Sequence, residues 1–163
     1  MKSVSFINLS KSKIHLFIMG LNNIYLVLFF VVVNYFLSIS FGVLSKVVSG
    51  DSVSTGFPSL PVNRETVVLL LVVAPVVETL IFQTSLIEWL RTKLPLPICC
   101  VISALAFAST HVYNVYYFFF TFLSGLLLAY LYTLKKTMLA ATVITVVGHL
   151  LYNALVFAIK NFL

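Results

Sequence analysis

Glu78, His111 and His149 are the residues of this chain whose types could do chemistry together. Glu78 lies near the middle of an apolar run, Val67 to Ile87, that holds no other charge. A charged side chain at the centre of a bilayer costs about 2.5–3.5 kcal/mol on insertion scales, so it marks function by default. His111 closes a later apolar run, and His149 lies inside the last one. Phe107 precedes His111 by four residues and Asn153 follows His149 by four, which places each pair on one helix face. A carboxylate beside an imidazole can take a proton from water and return it to a leaving amine. A second imidazole and an amide can donate to a developing oxyanion. The set is therefore suited to hydrolysis. One Glu and two His could also hold zinc with an open position for water. The chain has no H-E-x-x-H spacing. Ligands drawn from three separate helices leave zinc open on spacing alone, although no cofactor is the preferred reading.

The elements that must position these groups are membrane helices. Of 163 residues, 61% are hydrophobic and only 9% charged, more apolar surface than a soluble domain of this size could bury. Five apolar runs follow one another: Ile24 to Leu44, Thr66 to Ile87, Pro95 to His111, Tyr116 to Leu134 and Met138 to Ile159. Each is roughly 17–22 residues, which suits a helix crossing a hydrocarbon core of ~30 Å. The expected fold is all-α, a polytopic membrane protein with about five transmembrane helices. Residues 1–48 form an N-terminal tail and first helix, 49–65 a polar linker and 66–160 a four-helix core. Ser49-Gly50-Asp51-Ser52 and Gly56-Phe57-Pro58 mark the linker. The first run is read as a retained helix, because no Ala-x-Ala site follows it.

The net charge of +6 is placed for orientation rather than for nucleic acid, since basic residues flank the apolar runs. With the N-terminus in the cytoplasm, Lys2, Lys11, Lys13, Arg91, Lys93, Lys135 and Lys136 lie inside, and Lys46, Arg64 and Lys160 outside. The chain then reads as a multi-pass protein of the cell membrane, N-in and C-out. The uncharged link from Val112 to Val115 reads as a tight turn recessed in the membrane, tolerated only against protein or a wet cavity. His111 and Asn114 flank it, which suggests a polar cavity there. The adjacent Cys99 and Cys100 fit packing rather than a disulfide framework. Pro75 removes one backbone hydrogen bond just before Glu78, and Gly148 should let another backbone approach beside His149.

Three patterns carry a resemblance: Glu78-Thr79-Leu80-Ile81-Phe82-Gln83, Phe107-Ala108-Ser109-Thr110-His111 and His149-Leu150-Leu151-Tyr152-Asn153. Their order on successive apolar runs resembles the CAAX-protease and bacteriocin-processing family of intramembrane glutamic proteases (CPBP or Abi, type II CAAX prenyl endopeptidases). The family pattern runs Glu-Glu-x-x-x-Arg, Phe-x-x-x-His and His-x-x-x-Asn, and the similarity covers roughly residues 66–160. The resemblance implies an endopeptidase in which Glu78 activates water with help from His111, and His149 and Asn153 form the oxyanion site. Phe107 is then a packing residue. The implied substrate is a membrane-associated peptide or protein within the lipid bilayer. Thr79 and Gln83 stand where the family has Glu and Arg, so an i,i+4 ion pair is replaced by two neutral groups able to hydrogen-bond.

Two other classes stay open. A catalytically silent relative would bind a membrane partner or serve bacteriocin self-immunity. A transporter using Glu78 as proton carrier fits less well, since no internal repeat is visible. Outside the patterns, His15 reads as an exposed interface residue, and Asn22, Asn23 and Asn34 as packing or interface residues. The aromatic residues Tyr113, Tyr116, Tyr117 and Phe118 to Phe120 read as an interfacial belt. Ser103, Ala104, Ala106 and Ala108 read as a close-packing face.

Overall fold

Asparagine side chains start three of the long helices. In a computed structural model, which describes residues 13–50 and 63–162, Asn22, Asn63 and Asn114 each accept a backbone N–H three residues on, at 3.0, 2.8 and 2.9 Å. Such side-chain acceptors satisfy the otherwise unpaired first N–H groups of a helix. The helices are α1 (Lys13–Gly20), α2 (Asn23–Ser49), α3 (Arg64–Leu90), α4 (Leu96–Ser109), α5 (Val115–Thr133) and α6 (Met138–Phe162). Gly50 ends α2 with φ of 73°, a left-handed cap that glycine adopts without steric cost.

The protein is an all-α polytopic membrane protein. Four helices, α2, α3, α5 and α6, are long and apolar enough to cross a membrane. The remaining apolar run, Pro95 to His111, forms α4, a shorter helix of 14 residues. Helix α1 lies ahead of the first run and was not expected. It docks through the buried Ile18 and through His15, whose Nδ1 lies 2.7 Å from the Tyr130 hydroxyl. His15 is thus half-buried and paired, not an exposed interface residue. Of the expected linker, residues 51–62 lie outside the described residues, as do Lys2 and Lys11.

Hydrogen bonds between helices show which ends lie together. Tyr132 donates to Glu88 at 2.9 Å, and the Thr84 and Thr142 hydroxyls lie 2.9 Å apart. The end of α3, the end of α5 and the start of α6 therefore gather, with Arg91, Lys93, Lys135 and Lys136 nearby in sequence. One end of the bundle is thus rich in basic residues, the end that the expected orientation places on the cytoplasmic side. At the other end, Ser49 of α2 donates to the Tyr116 hydroxyl of α5 at 3.1 Å.

Helices α4 and α5 pack most closely. A Cβ on Gly125 would lie 3.0 Å from the Ala104 Cα, so glycine is what lets the two backbones meet. Ser103, Ala104 and Ala108 are fully buried on that face. Asn34 of α2 donates to Ser124 of α5 at 3.0 Å and ties the first long helix to this pair. The core between them holds Phe30, Phe107, Phe120, Leu128, Leu131 and Ile144. Outward positions such as Ile24, Phe36 and Leu139 are apolar and exposed, as a lipid-facing surface allows. Cys99 is buried in the second apolar cluster and Cys100 partly buried, and both are free thiols.

Candidate active site

Helix α3 is not α-helical throughout. Two π-helical turns, Leu69–Val73 and Thr79–Ser85, flank a short α segment, Ala74–Glu78. Glu78 is the last residue of that segment, between the two wider turns. Single π-turns inside α-helices occur often at functional sites. Pro75, three residues before Glu78, leads into the same segment. The proline thus coincides with a change of helical register around the carboxylate, beyond the simple loss of one hydrogen bond.

The two carboxylate oxygens of Glu78 face two different histidines. Oε1 lies 3.8 Å from His111 Nε2, and Oε2 lies 3.7 Å from His149 Nε2. Both separations exceed a direct hydrogen bond and suit a bridging water. The Glu78 side chain is 23% exposed, whereas His149 is 7% exposed, so the group opens on the Glu78 side.

His111 reaches this depth because α4 stops early. Helix α4 starts at the basic end and rises about 21 Å over its 14 residues, while Glu78 is about 18 Å from the end of α3 at Leu90 by the same rise. The turn after α4 therefore lies level with the carboxylate. Of the two ways to bring His111 to Glu78, a longer helix or a recessed turn, the protein uses the turn. Asn114 flanks it, but its side chain caps α5.

The tautomer of His111 follows from its partner. Its Nδ1 lies 2.9 Å from the Phe107 carbonyl, which can only accept, so Nδ1 carries the proton. In the neutral ring Nε2 is then bare and points at Glu78. The Thr110 hydroxyl also donates to this carbonyl, at 2.8 Å, and lies 3.0 Å from His111 Nδ1. The Phe107 ring packs against both imidazoles, with centroids 4.6 Å from His111 and 5.9 Å from His149. His149 Nδ1 is buried with no hydrogen-bond partner among the described residues.

Asn153 sits one turn beyond His149, and its amide donates to the Leu70 carbonyl at 3.2 Å. One amide hydrogen is so engaged and the second is not required by that bond. Gly148 serves side chains rather than a backbone. A Cβ there would meet Leu131 Cδ2 and Phe30 Cδ1, both at 3.1 Å. Thr79 and Gln83 are fully buried, but Thr79 Oγ1 and both polar atoms of the Gln83 amide lack hydrogen-bond partners among the described residues. The expected bond between them is not made.

Tyr117 is a neighbour that the motifs do not announce. It is buried, and its ring centroid is 6.2 Å from that of His111. The aromatic belt divides here: Tyr117 and Phe120 turn inward, while Tyr113 and Phe119 are exposed. Among the described residues, no group of three or more His, Cys, Asp or Glu side chains is arranged to hold a metal ion.

A carboxylate bracketed by two imidazoles inside an apolar helical bundle is an arrangement chemically able to exchange protons within a membrane protein. Comparison narrows it. The family model described as type II CAAX prenyl endopeptidase Rce1-like matches residues 64–155, more than half of the chain, and the chain belongs to this family of CAAX proteases. The matched span includes Glu78, His111, His149 and Asn153. No curated protein and no solved structure matches the chain.

Proposed function

We propose that this protein is an intramembrane endopeptidase of the cell membrane that hydrolyses a peptide bond with water activated by Glu78 and His111. The observation that carries the reading is the bracketing of Glu78, with one histidine Nε2 at 3.8 Å from Oε1 and another at 3.7 Å from Oε2. A water held between Glu78 and the bare Nε2 of His111 loses a proton to the carboxylate as its oxygen attacks the substrate carbonyl. The tetrahedral oxyanion accepts hydrogen bonds from the His149 imidazole and from the free amide hydrogen of Asn153. Collapse of the intermediate breaks the C–N bond, and the proton held by Glu78 passes to the leaving amine. The chemistry needs no metal, and the substrate is a membrane-associated peptide or protein. Family membership supports the reaction class.

The test compares membrane proteomes of cells carrying wild type, Glu78→Ala or His149→Ala at equal abundance. Purified protein in liposomes is assayed alongside on a prenylated CAAX peptide, with and without EDTA. New fragments only with wild type, and EDTA-resistant cleavage, are expected. Cleavage by Glu78→Ala equal to wild type would overturn the mechanism.

A second reading draws on Thr79 and Gln83, a buried neutral pair without partners where charges are expected of the family. It is a catalytically silent relative that binds a membrane partner. Partner capture that persists in Glu78→Ala and His149→Ala, with identical proteomes, would favour it.

A further inference from the structure

The backbone of α3 has two carbonyls whose ordinary partners are taken, and each is served by a side chain from another helix. At the end of the first π-turn, the Ala74 N–H bonds to the Leu69 carbonyl, five residues back. The next carbonyl, Leu70, has lost its i+4 donor to that bond, and its i+5 residue is Pro75, which has no N–H. Asn153 of α6 supplies the missing donor at 3.2 Å. The second π-turn ends in the same way. The Leu86 N–H bonds to the Ile81 carbonyl, so the Phe82 carbonyl loses its i+4 donor. Ser103 of α4, fully buried, donates its hydroxyl to it at 2.9 Å.

These two bonds lie on either side of Glu78, eight residues before it and four after it. A return of either turn to α geometry would rotate the carboxylate relative to its neighbours and give the skipped carbonyl a main-chain donor. A buried carbonyl left without a donor costs free energy, and one capped from a neighbouring helix does not. Each cap therefore favours the π register over the α register. The helices that supply the caps are the ones that bear the histidines: α4 leads into His111, and α6 carries His149.

We infer that Ser103 and Asn153 are positioning residues, two interhelical clamps that lock α3 in the π register and so aim Glu78 between His111 and His149. For Asn153 this role is additional to its free amide hydrogen, and for Ser103 it is the whole role. The inference deepens the proposed hydrolytic site and rests on that reading for its effect on turnover. The clamps themselves are a matter of geometry and can be read without turnover.

The test uses the full-length protein in liposomes. An infrared difference spectrum between wild type and Glu78→Gln isolates the carboxyl band of Glu78, and the same subtraction is made in Ser103→Ala and Ser103→Thr backgrounds. Ser103→Ala should shift the Glu78 band and lower kcat about tenfold with KM within about twofold, the effect of a misaimed group remote from bound substrate. Ser103→Thr retains the hydroxyl and should restore the band and kcat. An unshifted band in Ser103→Ala, or a threonine variant no better than alanine, would overturn the inference. If wild type cleaves no peptide while the band still shifts, the clamp stands and the hydrolytic reading fails.

Discussion

Helix α3 carries two carboxylates near the bundle interior, and they are treated in opposite ways. Glu88 Oε1 accepts from Arg91 at 2.9 Å and from the Tyr132 hydroxyl at 2.9 Å. Glu78, ten residues earlier, meets two imidazole nitrogens, at 3.8 and 3.7 Å. The first carboxylate is held through Oε1 by direct hydrogen bonds and joins α3 to α5. The second is surrounded but not closed, and its partners are the groups that can exchange protons with it. Two direct donors fix the position of Glu88, whereas the separations around Glu78 leave room for a water between it and each imidazole.

The sharpest way to break this contrast is to neutralise each carboxylate in turn. Glu78→Gln should lower kcat by at least ~10²-fold, the scale of general-base catalysis. Glu88→Gln, assayed on the same peptide in the same liposomes, should leave turnover within a few-fold. His111→Ala should approach the loss of Glu78→Gln, by about 10²-fold or more, because its bare Nε2 faces the same carboxylate. Equal losses from Glu78→Gln and Glu88→Gln would erase the distinction.

Smaller effects concern stability, read by denaturation in a mild detergent. Gly125→Ala places a methyl 3.0 Å from the Ala104 backbone and 3.1 Å from Phe107, on which both histidines pack. Backbone cannot yield as a side-chain tip can, so a loss of about 1–3 kcal/mol is expected. Tyr132→Phe removes one donor from Glu88 and should cost about 1 kcal/mol with no change in kcat. Thr84→Val breaks the hydroxyl pair with Thr142 and should cost about 0.5–1 kcal/mol.

Much of this arrangement was legible in the chain. Apolar length placed the helices, and four of the runs sit, to within one residue, inside helices of 19 to 27 residues. The candidate cluster was legible because Glu78 and two of the three histidines stand out in so apolar a sequence, and the fold brings these three together. What escaped depends on partners distant in sequence. Nothing around His15 announces Tyr130, 115 residues away. Gly148 beside His149 suggested a close backbone, but its neighbours are the side chains of Leu131 and Phe30. Thr79 and Gln83 have the spacing of a bonded pair on an α-helix. They lie in a π-turn, where that periodicity does not hold. Pro75 signalled a disturbance, but not that the helix widens on both sides of Glu78.

The early stop of α4 has a consequence for the lipid around it. Val112 and Tyr113, in the turn after α4, and Val115, which opens α5, are 67%, 61% and 59% exposed. Irregular backbone that faces hydrocarbon has no donors or acceptors to pair with. A headgroup layer that dips towards this turn would solvate it, and a dent in the leaflet beside the candidate site is the expected result. Hydrophobic mismatch makes such a dent cheaper in a thin bilayer than in a thick one. Short-chain lipids should therefore favour turnover over long-chain lipids. On the proposed hydrolytic reading, membrane thickness would set which peptide bonds come within reach of Glu78.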